Sequence, residues 1–126
     1  MITADVSAML KASDGMSVNI FESFSKQEDL AGADAPNTYT IAPLGTRAVN
    51  MCDLSYAVYT LLKTTKPVHV TVTFAGTTQP SPATQTILVR DIMLLSAEIS
   101  AISIFNPNSG VSPDNDAVVD LTLIGA

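Results

Sequence analysis

Residues 68–74 read Val68-His69-Val70-Thr71-Val72-Thr73-Phe74. Apolar and polar side chains alternate without a break, which is the period of a β-strand with one buried face. Val68, Val70, Val72 and Phe74 are expected to point inward, and His69, Thr71 and Thr73 outward. β-Branched residues on both faces suit a pleated, half-covered surface.

Moving toward the C-terminus, residues 75–83 (AGTTQPSPA) form a proline-bearing loop. Strands follow over 86–95 and 99–105, with a turn at Ser96-Ala97-Glu98 between them. Residues 106–116 (NPNSGVSPDND) form a second long loop. The last strand, 117–124, sets Val119, Leu121 and Leu123 against Val118, Asp120, Thr122 and Ile124. Toward the N-terminus, 63–67 is a polar turn and 54–62 is a strand that is apolar on both sides. In that strand Leu54, Tyr56, Val58 and Leu62 oppose Ser55, Ala57, Tyr59 and Leu61, as in a central strand between two covered faces. Further strands lie at 47–53 and 38–41, the latter turned by Pro43-Leu44-Gly45. With no βαβ rhythm, the pattern predicts an all-β fold: an antiparallel β-sandwich or jelly-roll-like domain of about eight strands.

Residues 1–34 depart from this period. Ile2, Val6, Met9 and Leu10 fall at i, i+4, i+7 and i+8, an apolar stripe that predicts a short N-terminal helix or arm. Asp5 suits its N-terminal end and Gly15 its stop. An isolated helix this short is marginal in water, so the stripe needs something to dock on. Residues 17–24 read as a strand carrying Val18, Ile20 and Phe24 on one face. Ser25-Lys26-Gln27-Glu28 matches a capping box and predicts one helical turn ending near Gly32, before a loop over 32–37. The expected organisation is an arm or helix over 1–16 and a single β-sandwich domain over 17–126.

Composition narrows the function. The chain has 126 residues, enough to bury roughly two-thirds of its unfolded surface. Charged residues are 14% of the chain against about 25% in ordinary proteins, so the surface is unusually neutral and suits packing against neighbours. Twelve acids against six scattered bases give a net charge of −6, the opposite of a nucleic-acid footprint. No apolar window approaches the ~20 residues of a membrane span, and the first residues lack a signal-peptide pattern. The expectation is therefore a protein made in a cytoplasm, with neither nucleic acid nor membrane as partner.

The residues that could carry chemistry form no constellation. His69, the only histidine, is an outward strand residue among threonines. Cys52, the only cysteine, reads as a small buried hydrophobe, since a reactive thiol needs a cationic neighbour and only Arg47 is near in sequence. Asp114, Asn115, Asp116 and Asp120 offer oxygen ligands, but without an EF-hand spacing they read as a solvated turn. With no Trp, a sugar platform would rest on Tyr39, Tyr56 and Tyr59. There is no phosphate-cradling glycine loop. No enzyme activity, metal or cofactor is expected.

Two segments together resemble a known family. One is Gly45-Thr46-Arg47-Ala48-Val49-Asn50 with the strand leading through Pro67-Val68-His69-Val70-Thr71-Val72. The other is LLSAEISAISIFNPNSG…AVVDLTLIGA, within residues 94–126. This arrangement is similar to that of small auxiliary structural proteins of tailed bacteriophages, of the capsid cement or decoration type. The resemblance implies a virion protein that binds the outer capsid surface and stabilises it, with the major capsid protein and further copies of itself (a homotrimer) as partners. Tail, fibre or head-to-tail adaptor components, some of them receptor- or carbohydrate-binding, share similar small β-folds and form the alternative. On the cement reading, Ile2, Val6, Met9 and Leu10 of the N-terminal arm are the candidate partner-binding residues; on the receptor- or carbohydrate-binding alternative, the loops over 75–83 and 106–116 would carry the binding.

Overall fold

The computed structural model describes the backbone of residues 1–13, 15, 18–75 and 83–126, and the side chains of these except 18–21 and 33–36. Most of the predicted loop over 75–83 lies outside the described residues. The chain divides into two compact units, Met1–Ala31 and Gly32–Ala126.

The larger unit is an antiparallel β-sandwich, and no α-helix occurs among the described residues. Its strands, numbered in chain order, are β3 (Gly32–Ile41), β4 (Thr46–Ala48), β5 (Ala57–Thr64), β6 (Val68–Phe74), β7 (Thr84–Val89), β8 (Ile92–Phe105) and β9 (Ala117–Gly125). They form one sheet in the order β3-β9-β5-β8-β6-β7, with β4 also paired to β8. Inner residues from β3, β5, β6, β7, β8 and β9 meet in a single core, so the sheet must curl until its two halves face each other. Val68, Val70 and Val72 are fully buried, and β9 alternates buried Ala117, Val119, Leu121 and Leu123 with half-buried neighbours. The alternations in these two strands are those read from the sequence.

Two irregularities bend the sheet. Ile99 of β8 pairs with Phe74 of β6 whereas Ala101 pairs with Thr73, leaving Ser100 as an extra residue. Such a bulge kinks a strand and reverses which side chains point inward. Met93, Leu95, Ala97 and Ile99 face the core before it, Ile102 and Ile104 after it. The expected turn at Ser96-Ala97-Glu98 is therefore corrected: β8 runs through it, and the break in period marks bulging rather than chain reversal. In β5, Ala57 pairs with Gly125 and Tyr59 with Ile124, so Val58 is extra. This puts Ala57 and Leu62 on the core side together, against the expectation that they oppose each other.

Other expectations are corrected as well. The segment 32–37 is not a loop but the start of β3, paired with the end of β9. Of the expected 47–53 strand only Arg47 and Ala48 pair, as the end of β4; the chain then turns, with Leu54 N–H donating to the Met51 carbonyl at 3.1 Å. Cys52 sits in that turn at φ +53 and is exposed, not buried.

Thr60 is fully buried on the core face of β5, opposite Leu95 and Leu123, and its hydroxyl has no hydrogen-bond partner among the described residues. A buried hydroxyl without a partner is a standing desolvation penalty. Thr60→Val keeps the shape and removes the penalty, so it should stabilise the sandwich by about 1 kcal/mol. A higher urea midpoint at unchanged m-value is the result to look for.

Candidate functional site: the N-terminal hairpin

The smaller unit contains no helix among its described residues. Residues 2–12 form most of β1 (Ile2–Ser13), which pairs antiparallel with β2 (Val18–Leu30). The expected N-terminal helix and the helical turn at Ser25-Lys26-Gln27-Glu28 are both corrected: the latter segment is mid-strand in β2. Strands of 12 and 13 residues make a ribbon about 40 Å long at ~3.4 Å per residue. Gly15, at φ +92, lies in the connection between them.

The physical reason is an alternation that the wider spacing conceals. Ile2, Ala4, Val6, Ala8, Leu10 and Ala12 occupy every second position, with Thr3, Asp5, Ser7, Met9, Lys11 and Ser13 between them. In a strand these sets fall on opposite faces. The register places Leu30 across from Ile2, Lys26 from Val6, Phe24 from Ala8 and Glu22 from Leu10. One face is thus mainly apolar and the other mainly polar, the latter fixed at its open end by Thr3 Oγ1 donating to Asp29 Oδ1 at 2.7 Å.

Of the four residues singled out from the sequence, Ile2, Val6 and Leu10 share the apolar face, whereas Met9 lies on the other. Ile2 and Val6 are half-buried; Met9 and Leu10 are 68% and 65% exposed. Phe24, 51% exposed, belongs with Leu10 and is not among the four, because its place depends on pairing with β1. A shallow hollow lined by Ala8, Met9, Leu10, Glu22, Ser23 and Phe24 lies at this level. Residues 7–13 and 22–27 are exposed on both faces of the ribbon. On the apolar face, Lys26 Nζ and Glu28 Oε2 form an ion pair at 3.3 Å, mostly in solvent and thus of small energetic weight.

Compared with protein-family models, curated proteins and solved structures, the chain matches none.

The remaining candidates do not assemble. His69 is half-buried beside Phe105, with ring centroids 6.1 Å apart. Tyr39 and Tyr59 are buried and Tyr56 is half-buried, so the three present no exposed aromatic platform. The Arg47 guanidinium lies 5.2 Å from the centre of the Tyr39 ring, a cation–π contact. No group of three His, Cys, Asp or Glu side chains suited to a metal occurs among the described residues. In the 106–116 segment the polar groups bond to each other: Asn108 Nδ2 donates to Asn115 Oδ1 at 3.2 Å, and Gly110 N–H to Asn108 Oδ1 at 3.0 Å. No helix among the described residues is long and apolar enough to cross a membrane.

Proposed function

We propose that this is a non-catalytic virion protein that binds the outer surface of a phage capsid and stabilises it as a cement protein. The N-terminal hairpin would be the part that seats on the shell. The observation that carries this reading is the exposure of the ribbon on both faces over residues 7–13 and 22–27, with Met9, Leu10 and Phe24 among its uncovered side chains. A two-stranded hairpin is marginally stable on its own in water, and exposed apolar side chains on such an element favour a covered state. A sandwich sparse in charged residues is consistent with a body that packs among neighbours. Many copies on one lattice would multiply a modest contact into a large stabilisation of the shell.

The test is occupancy on capsids that lack the protein. Leu10→Glu combined with Ala8→Glu places two charges on the apolar face and leaves the sandwich unit untouched. Shell binding should fall at least about tenfold, the equivalent of 1.4 kcal/mol, while the thermal midpoint of the sandwich stays put. Unchanged occupancy would remove the hairpin from the docking role. If the protein partitions with tails or connectors rather than filled heads, the adaptor reading replaces the cement one.

A further inference from the structure

We infer that the first half of β8 is a self-recognition edge, pairing antiparallel with the same segment of a second copy about a twofold axis through Leu94. β6 lies beside β8 only from Ile99 onward, while β5 and then β4 occupy its other side. Residues 92–97 therefore border β5 on one side and no strand on the other among the described residues. Two hydrogen bonds fix which backbone groups face that open side. Thr64 N–H donates to the Asp91 carbonyl at 2.9 Å, so Asp91, Met93 and Leu95 turn their backbone groups toward β5. Ala75 N–H reaches the Glu98 carbonyl at 2.9 Å from the β6 side. Ile92, Leu94 and Ser96 thus present their N–H and C=O groups along the open edge. The edge is also unguarded. Natural proteins blunt such edges with charges, proline, bulges or shortness. Here β3 contains Pro36 and a register break between Asp34 and Asn37, and β4 has only 3 residues. Residues 92–97 (IMLLSA) carry none of these devices, and Ile92 and Leu94 are 62% and 39% exposed.

The edge complements itself in one register. Opposed residues of an antiparallel pair exchange hydrogen bonds only if both turn their backbone groups toward the boundary, so Ile92, Leu94 and Ser96 must face one another. Centring on Leu94 sets Ile92 against Ser96, Leu94 against its own image and Ser96 against Ile92, about six hydrogen bonds in all. Centring on Met93 sends Ser96 to Arg90, outside the strand, and centring on Leu95 sends Ile92 to Glu98, whose carbonyl is already taken. Centres farther out match fewer still. A centre between two residues opposes one face of the sheet to the other and leaves the outward backbone groups unmatched. Side chains favour the same register. On the core face Met93 and Leu95, each only half-buried, meet across the boundary. At both ends Arg90 faces Glu98 of the other copy, and these exposed side chains have no charged partner of their own among the described residues. No other centre on a residue of this edge opposes unlike charges. β7 has an open side as well, but pairing with itself about Thr86 would set Thr84 against Leu88 and Gln85 against Ile87, with no charges facing. The product is an isologous dimer in which one sheet runs β3-β9-β5-β8-β8-β5-β9-β3 through two sandwiches. The inference stands apart from the capsid reading, because it rests on the sandwich alone.

Sedimentation of the full-length protein tests it. Leu94→Lys places two ammonium groups face to face on the axis, and the sandwich should stay folded because Leu94 points away from the core. Pairing should weaken at least about tenfold, so that the variant has half the wild-type mass at concentrations where wild type is just fully paired. Arg90→Glu opposes carboxylates at both ends of the interface, and Glu98→Arg opposes guanidinium groups; each should weaken pairing about tenfold. Mixed in equal amounts, the two variants set unlike charges at both ends of a heterodimer and should recover the wild-type mass, which misfolded variants could not do. A wild-type protein that stays monomeric at every concentration overturns the inference. So does a dimer that Leu94→Lys leaves intact, one that Leu88→Lys on β7 dissociates instead, or a pair of charge variants that does not recover on mixing.

Discussion

Gly125→Ala is expected to lower the stability of the sandwich by about 3 kcal/mol, the upper range for forcing atoms into a packed site. Gly125 is buried at the end of β9, opposite Ala57, where the extra residue Val58 bends β5. A Cβ on Gly125 would lie 2.8 Å from the Ala57 Cα and closer still to the Tyr56 carbonyl oxygen. Both are backbone atoms next to a kink, so neither can rotate aside. Relief requires the end of β9 to lift away. The same peptides carry three hydrogen bonds: Ser55 N–H and Tyr56 N–H donate to the Ala126 carbonyl at 2.6 and 3.1 Å, and Ala126 N–H donates to the Tyr56 carbonyl at 3.1 Å. Lifting the strand strains or breaks all of them. Gly32→Ala is the control, since its Cβ would meet only the Leu54 Cδ2 at an ordinary 3.7 Å, and it should stay within about 0.5 kcal/mol of wild type. Urea unfolding of both variants checks the pair of outcomes. A Gly125→Ala protein as stable as Gly32→Ala would mean that β9 ends more loosely than its hydrogen bonds imply.

The bulge beside Gly125 also marks where sequence reading stops being sufficient. Val68–Phe74 and residues 117–124 are legible because apolar side chains fall at every second position and neither strand carries an extra residue. In β5 and β8 the inward set changes parity at Val58 and Ser100, and nothing local announces it. A bulge is set by which strand lies alongside, and that is a tertiary fact. The N-terminal helix is a misreading of a different origin. Ile2, Val6 and Leu10 are four residues apart, a spacing that serves a helix and a strand equally well. The deciding residues are Ala4, Ala8 and Ala12, which complete the period of two but weigh little in hydrophobicity and favour helices intrinsically. Met9 then tips the pattern toward 3.6. The apolar character of the segment is thus legible in the sequence, but its strand geometry is not. Nor is the place of Phe24, whose neighbours become visible only after β2 is laid against β1.

Asn106→Ala is expected to destabilise the sandwich by about 3 kcal/mol, because it removes one side chain that satisfies three separate segments. Asn106 is fully buried. Its Nδ2 donates to the Ile41 carbonyl at 3.0 Å and to the Asn115 carbonyl at 2.9 Å, and its Oδ1 accepts from Asn108 N–H at 3.1 Å. Its backbone is tied as well, with Asn106 N–H donating to the Gly45 carbonyl at 3.0 Å and Leu44 N–H to the Asn106 carbonyl at 2.8 Å. The side-chain amide therefore ties the end of β3 and the 3₁₀ turn Pro113–Asn115 to Asn108, while the backbone of the same residue holds the turn at residues 42–45. Truncation removes the partner of the Ile41 carbonyl in a buried bond and of the Asn115 carbonyl and the Asn108 N–H in part-buried ones, each an unmet desolvation cost. Asn106→Leu fills the space yet strands the same three groups, so it should be no better than alanine if hydrogen bonding dominates, and clearly better if packing does. Asn106→Asp makes the sharper comparison. It keeps the acceptor for Asn108 but turns a carboxylate toward two carbonyl oxygens, so burial and repulsion would raise its folded pKa above the unfolded value of about 3.9. A raised folded pKa means that the folded state holds the proton more tightly, so the damage is greatest at neutral pH and shrinks as the pH falls through that folded pKa. Urea midpoints at pH 7 should rank Asn106→Asp below Asn106→Ala, with the gap closing on acidification. A pH-independent gap would show that the introduced carboxyl escapes to solvent and that the three segments can separate without it.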